Sequence, residues 1–133
     1  MRKFKSVNEL VNSLKPDSPV YCIRTEQVKK SVTFFKENFP GKILYAVKTN
    51  PHEKIIKQII SNGVKDFDVA SLSEIKLIKK ISSEVNLHFM HTIKSKQSIL
   101  SAYFDYGVKS FSLDNKDELR KILEATNQAK DLK

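Results

Sequence analysis

The stretch KILYAVKTNPHEKIIKQIISNGVKDFDVA, residues 42–70, decides the fold. Its apolar residues alternate over Lys42–Lys48, recur at helical spacing over Pro51–Asn62 and form a short run again over Val64–Ala70. A strand, a helix and a second strand joined by short loops are typical of a βαβ unit, whose two strands are parallel. The stretch therefore predicts an α/β protein built on a parallel sheet.

The same pattern continues on both sides of this stretch. Towards the amino end, the sequence predicts a helix over Ser6–Leu14, a short strand over Val20–Ile23 and a helix over Thr25–Phe39. Towards the carboxyl end, it predicts a helix over Leu72–Ile81, strands over Asn86–His91 and Val108–Leu113, and helices over Ser95–Tyr106 and Asn115–Thr126. Four strand-then-helix units at a spacing of about 22 residues predict parallel strands with right-handed crossovers.

Two architectures fit this order of elements: an open doubly wound sheet and part of a (β/α)8 barrel. The doubly wound dinucleotide fold needs a glycine-rich turn after its first strand. Here Gly41, Gly63 and Gly107 each precede a predicted strand instead. A complete barrel takes roughly 250 residues, so a chain of 133 residues predicts half of one. Such a half barrel is expected to expose an Ile- and Val-rich inner face and an unpaired edge.

The composition limits the classes of function. The formal charge is +9, but only three of the 24 basic residues are arginine and the lysines are scattered, which favours a solvated surface over a nucleic-acid interface. A basic nucleic-acid-binding module is kept as an alternative. The single cysteine, Cys22, excludes an intramolecular disulfide framework and a cysteine-rich zinc site. Without a long apolar run or a secretory signal, a cytoplasmic setting and no membrane partner are expected.

Three residues are candidates for chemistry at the carboxyl edge of the sheet, where ligands of α/β folds bind. Lys48 is predicted at the last position of its strand, where a partly desolvated amine is a usable nucleophile toward a carbonyl. Ala46, on the same strand face, leaves room for a flat ring. Asp68, in the equivalent place on the next strand, is suited to orienting a lysine or binding a cation. Spacing alone favours simpler interpretations: a snorkelling lysine at a strand end and an aspartate bound to backbone N–H groups.

Other polar residues have simpler interpretations. His88 and His91, three residues apart in one predicted strand, point to opposite faces and cannot form a two-histidine metal site. Each is expected to be a hydrogen-bonded histidine. Glu74 follows Ser71 by three residues, which is the spacing of a capping box.

Two segments, YAVKTN at 45–50 and FDVAS at 67–71, together resemble a known family. They are similar to the cofactor-lysine region of fold-type III pyridoxal-phosphate-dependent decarboxylases, the ornithine and diaminopimelate decarboxylase group. FMH at 89–91, followed by Lys94, continues the resemblance. The opening PVYCIR at 19–24 and the FPG at 39–41 look most like bacterial ornithine decarboxylases.

The resemblance implies the amino-terminal half of an alanine-racemase-like (β/α)8 TIM barrel, with residues 1–19 as a lead-in and residues 20–133 as part of the barrel. It implies that Lys48 holds pyridoxal 5'-phosphate covalently, with Ala46 and Asp68 beside the cofactor. The implied reaction is decarboxylation of L-ornithine to putrescine by a full-length homodimer, and this chain by itself is expected to be inactive. A diaminopimelate decarboxylase and a non-catalytic barrel protein of pyridoxal-phosphate homeostasis are the alternatives.

Overall fold

The computed structural model describes residues 2–133, and four strand-then-helix units follow one another as predicted. The helices are α1 (Val7–Leu14), α2 (Thr25–Asn38), α3 (Glu53–Ser61), α4 (Leu72–Ile81), α5 (Lys96–Phe104) and α6 (Lys116–Ala125). The strands are β1 (Leu44–Ala46), β2 (Asp66–Val69), β3 (Asn86–Phe89) and β4 (Ser110–Phe111), and a 3-10 helix (Val47–Thr49) follows β1. Each strand is shorter than predicted, because ladder pairing stops where the loops begin.

Local side-chain caps decide where several helices begin. The Ser71 hydroxyl accepts from the Glu74 N–H at 3.3 Å, and the Asn115 side chain accepts from the Glu118 N–H at 2.8 Å. These caps satisfy N–H groups that have no partner within the helix. The spacing of Asn50 and Glu53 likewise predicts a cap at Asn50 for α3, and this prediction is wrong. His52 is the N-cap residue, and its Nδ1 accepts from the Lys54 N–H at 3.2 Å.

The four strands form one parallel sheet in the order β1-β2-β3-β4. The large apolar residues of the strands, among them Phe67, Val69 and Phe89, are buried with the apolar faces of the helices in one core cluster. Because alternate residues of a strand face opposite sides, these residues define the helix-covered face. A sequential strand order with helices on one face is the arrangement of a barrel wall, not of a doubly wound sheet.

The opposite, open face of the sheet differs from the prediction. Register pairs Ala46 with Asp68, Asp68 with His88, and His88 with Ser110, so these four residues share the open face. Polar residues therefore occupy most of this face, and the expected Ile- and Val-rich inner surface is wrong. Most of the isoleucines and valines instead lie on the helix side, where they pack in one core with α2 to α6.

The predicted amino-terminal strand over Val20–Ile23 is also wrong, because this segment pairs with no described strand. Val20 and Tyr21 are exposed, while Ile23 packs against the core. The segment lies against the loop after β1, where the Asn50 side chain donates to the Tyr21 hydroxyl at 2.8 Å. An apolar run alone is therefore not sufficient for a strand, since a strand also needs a neighbour with free N–H and C=O groups.

The outer edge of β4 is partly paired. The Lys133 N–H donates to the Lys109 carbonyl at 2.8 Å, and the Phe111 N–H donates to the Lys133 carbonyl at 3.2 Å. These two bonds place Lys133 beside β4 in the parallel direction. The edge that was expected to be free of partners thus carries one.

Candidate functional site

The loop that carries Lys48 follows directly from β1 at the carboxyl edge of the sheet. The strand ends at Ala46, and the chain turns into the 3-10 helix Val47–Thr49. Val47 is fully buried, and the Thr49 hydroxyl donates to the Ala46 carbonyl at 2.7 Å, which holds the turn. Lys48 therefore lies in a turn beyond the strand, which corrects the prediction that it is the last strand residue on the same face as Ala46.

The three predicted site residues lie at the same end of two neighbouring strands. Ala46 and Asp68 are register partners on the open face, and both are partly buried. Lys48 is exposed, so the partial burial that we expected for its amine is not found in the described chain. Asp68 is the third residue of β2, which ends at Val69. No direct ion pair joins Lys48 to Asp68 within residues 2–133.

Aromatic side chains surround the loop between the 3-10 helix and α3. The Tyr45 hydroxyl donates to the Asn50 carbonyl at 3.1 Å. The rings of Tyr21 and His52 are stacked, with centroids 5.3 Å apart. Tyr21 and Asn50 are 29 positions apart, and no sequence signal indicated that they meet.

A near relative of the predicted capping box holds the carboxyl end of β2, with the carboxylate bound one residue before the N-cap Ser71. The Glu74 carboxylate accepts from the Ala70 N–H at 2.7 Å, and the Ser71 hydroxyl accepts from the Glu74 N–H. Both bonds join residues within one helical turn. The backbone that follows Asp68 is thereby fixed at the rim of the sheet.

A buried ion pair joins Lys94, in the loop after β3, to Glu118 in α6, and the sequence pattern did not predict it. Lys94 Nζ lies 3.1 Å from a carboxylate oxygen of Glu118, and the two side chains are 0% and 3% exposed. Burial opposes the ionised form of Glu118, but hydrogen bonds from Lys121 and Lys94 outweigh it and lower the pKa of Glu118. The sequence distance of 24 residues between the partners left no pattern that could have revealed the contact.

A second polar cluster occupies the open face nearer the amino ends of the strands. The Asp66 carboxylate lies 2.9 Å from His88 Nε2, and Ser110 Oγ lies 3.0 Å from His88 Nδ1. A carboxylate only accepts, so Nε2 carries the proton of the bond to Asp66. Asn86 also donates to Asp66, at 3.2 Å, and Lys42 Nζ lies 3.4 Å from the same carboxylate. His88 is a hydrogen-bonded histidine, as expected.

This cluster predicts an acid-sensitive contribution to stability. Burial raises the pKa of Asp66, but hydrogen bonds from His88 and Asn86 and the Lys42 charge outweigh burial and lower it below 3.8. A lowered folded-state pKa stabilises the fold above the unfolded-state pKa, and this stabilisation is lost as the pH falls through the folded-state pKa. We expect Asp66→Asn to be destabilising at neutral pH, and progressively less so as the pH falls through the lowered folded-state pKa of Asp66. Urea unfolding across this range tests it, with exposed Asp17→Asn as control, and a pH-independent difference would contradict it.

His91 lies beyond β3, in the loop before α5, and its side chain is exposed. The prediction that it forms the end of the strand is therefore wrong. Among residues 2–133, no three histidine, cysteine or acidic side chains come together as ligands for a metal ion. No helix in the same range is long and apolar enough to cross a bilayer.

Comparison with known proteins identifies a family for the part of the chain that carries Lys48. A sequence model described as the pyridoxal binding domain of pyridoxal-dependent decarboxylases matches residues 25–132. The chain belongs to this family. It is therefore a member of the fold-type III group of pyridoxal-phosphate-dependent amino-acid decarboxylases, as the resemblance implied, and its four βα units are part of the decarboxylase barrel domain.

The similar proteins are named as decarboxylases of basic amino acids. A lysine/ornithine decarboxylase of Selenomonas ruminantium is 25% identical over 129 residues, which are 94% of this chain and 32% of that protein. An ornithine decarboxylase of Neurospora crassa is 33% identical over 89 residues, 66% of this chain and 18% of that protein. The family is thus one of ornithine, lysine and arginine decarboxylases.

Solved structures give the same result for the fold. The arginine decarboxylase of Paramecium bursaria Chlorella virus, bound to agmatine, superposes with a TM-score of 0.82 at 29% identity, over 92% of this chain and 33% of that one. SrLDC in complex with PLP and cadaverine superposes with a TM-score of 0.80 at 25% identity, over 96% and 34%. The chain therefore spans about a third of the length of the decarboxylases that it matches.

Proposed function

We propose that this chain is the cofactor-lysine part of a decarboxylase that converts L-ornithine to putrescine, with Lys48 as the residue that holds pyridoxal phosphate. The observation that carries the proposal is the position of Lys48: an exposed primary amine on a rigid turn, directly after a strand at the ligand-binding edge of a parallel sheet. Family membership supplies the cofactor class.

The residues around Lys48 fit such a cofactor. The amine of Lys48 would hold the cofactor through its aldehyde group, and its exposure leaves it accessible to a molecule at the rim. The small side chain of Ala46 leaves space on the open face, and the partly buried carboxylate of Asp68 supplies negative charge one strand away. When bound, pyridoxal phosphate supplies an electron sink for the carbanion that forms as the α-carboxylate leaves.

Each residue then has one role. Lys48 would hold the cofactor at the rim. Asp68 orients a cationic group at the rim, because a partly buried carboxylate interacts more strongly than one in bulk water. Ala46 contributes by its small size alone. The 3-10 turn, held by Val47 and Thr49, keeps the Lys48 backbone in one position.

Ornithine is favoured as substrate by the Neurospora crassa relative, which has the higher identity of the two described above. Lysine is the second candidate, because the Selenomonas ruminantium relative matches 94% of this chain. The proposal also includes residues 1–19 as lead-in and residues 20–133 as part of the barrel, a cytoplasmic setting and a homodimer for the full-length protein.

Labelling of Lys48 tests the proposal. We expect pyridoxal phosphate, reduced with borohydride, to modify Lys48 at low stoichiometric excess and to leave Lys48→Ala unmodified at the corresponding peptide. The control is Lys76→Ala, which removes an exposed lysine from α4 and is expected to leave the Lys48 adduct unchanged. Peptide mass mapping reads out the position. Random labelling of many lysines, with no preference for Lys48, would sink the assignment.

A competition experiment separates the substrate classes. Ornithine added before reduction is expected to protect Lys48 at lower concentration than lysine or glutamate does. Diaminopimelate carries a second carboxylate, and protection at the lowest concentration by this compound would favour the diaminopimelate alternative instead.

A further inference from the structure

A clamp made by Lys94 and Glu118 joins two loops at the rim of the sheet. Lys94 Nζ donates to the carbonyls of His91 at 2.8 Å, Thr92 at 3.4 Å and Ser112 at 2.6 Å. Glu118 completes the clamp, because its carboxylate accepts from both the ammonium group and the backbone N–H of Lys94. The ammonium group thus connects the loop 90–95 to the end of β4.

Burying the charges of Lys94 and Glu118 costs free energy of desolvation, so stability alone is a weak reason for the pair. Two charges are removed from water, and a buried ion pair of this kind is often no more stabilising than a pair of well-packed apolar residues. The Lys94 ammonium lies 5.8 Å from the centroid of the Phe89 ring, and Lys121 pairs with the second oxygen of Glu118 at 2.6 Å. The polar contacts of Lys94 go to backbone carbonyls of the loops after β3 and β4 and to Glu118 of α6, and its side chain is fully buried.

The clamped loops lie at the same edge of the sheet as the Lys48 turn. All four strands are parallel, so their carboxyl ends meet at one edge. Neighbouring strands are about 4.8 Å apart, which places the loop after β3 about 10 Å from the loop after β1. The loop 90–95 therefore lies at the same rim as the Lys48 turn, two strands away from it.

We propose that Lys94 is a positioning residue of the candidate site, because it holds the loops 90–95 and 112–115 in one relative position. This inference rests on the proposed function of Lys48. It assigns Lys94 no contact with the reacting atoms, and its effect passes through the carbonyls of His91, Thr92 and Ser112 to the shape of the rim.

The double variant Lys94→Met/Glu118→Gln tests the role without leaving a lone buried charge. Its matched control is Lys96→Met/Glu124→Gln, which removes an ion pair of the same 3.1 Å length whose partners are 59% and 49% exposed. The first readout is hydrogen exchange of the Met90 and Ser112 amides, which donate to the Val69 and Phe89 carbonyls. We expect about tenfold faster exchange at both amides, with the amides of α3 unchanged.

The second readout is the dissociation constant of pyridoxal phosphate, measured from absorbance at equilibrium. We expect it to rise about tenfold in the clamp variant and to stay unchanged in the control, because misplacing a site wall weakens binding. A purely stabilising pair would alter the unfolding transition and leave both readouts of the folded chain unchanged.

Two results would overturn the inference in different ways. Equal affinity and exchange in the clamp variant and its control would end the positioning role while leaving the assignment of Lys48 intact. Failure of the unaltered chain to bind pyridoxal phosphate at Lys48 would overturn the proposed function, and the positioning role with it.

Discussion

Glu118→Gln is expected to lower the free energy of unfolding by about 3 kcal/mol, because it leaves Lys94 as an uncompensated buried charge. Lys94 is fully buried and keeps only neutral carbonyl partners and the new amide oxygen once the carboxylate is gone. The change in shape is small, so packing contributes little to the loss. Urea unfolding at neutral pH measures the effect.

The exposed pair of Lys96 and Glu124 provides the control for this prediction. Glu124→Gln is expected to cost about 0–1 kcal/mol, because exposed ion pairs are screened by water. Both pairs have the same 3.1 Å separation, but Glu118 is buried and also accepts from the Lys94 N–H and from Lys121. A difference between the two variants therefore measures the buried network as a whole. Equal losses in the two variants would show that Lys94 is not a buried charge in solution.

Phe67→Ala is expected to cost about 3–5 kcal/mol, since it removes a fully buried ring and leaves a cavity behind it. Phe67 lies in β2 on the helix-covered face, with its ring edge against Tyr45 at a centroid distance of 6.1 Å. Because Asp66 and Asp68 flank Phe67 on the opposite face, the same strand supports both polar groups of the open face. Thermal and urea unfolding measure the loss.

Phe104→Ala is the matched control for the core variant. Phe104 ends α5 and is 52% exposed, so its removal is expected to change stability by about 0.5 kcal/mol. A similar cost at both positions would mean that β2 is not the centre of the core. If Phe67→Ala lowered the free energy of unfolding only slightly, the Phe67 ring would be exposed to solvent in solution.

The candidate site could be predicted in part. Lys48, Ala46 and Asp68 lie at one end of two paired strands, as the alternation and the parallel topology indicated. The 3-10 turn that carries Lys48 could not be predicted, because Val47 ends the strand by entering a core whose other members come from distant helices. The exposure of Lys48 follows from the same turn.

By itself, the sequence determined the number and order of the strand-then-helix units, the bounds of α4 and the capping box of Ser71 and Glu74. These features depend on periodicity and on contacts between residues three or four positions apart. Such contacts are local, so they form independently of the rest of the fold. The start of α3 shows the limit of such local predictions. Asn50 and His52 each accept a backbone N–H bond there, and His52 is the N-cap residue.

Only the tertiary structure decided the clamp of Lys94 with Glu118, the cluster of Asp66, His88 and Ser110, and the absence of a strand over Val20–Ile23. The partners in the clamp and the cluster are 22 to 24 positions apart. The cluster depends on the register of neighbouring strands, since a slip of one residue turns each side chain to the other face of the sheet. The clamp depends on how α6 packs beside the loop after β3. A strand likewise depends on a neighbour elsewhere in the chain, and local sequence carries no information about that neighbour.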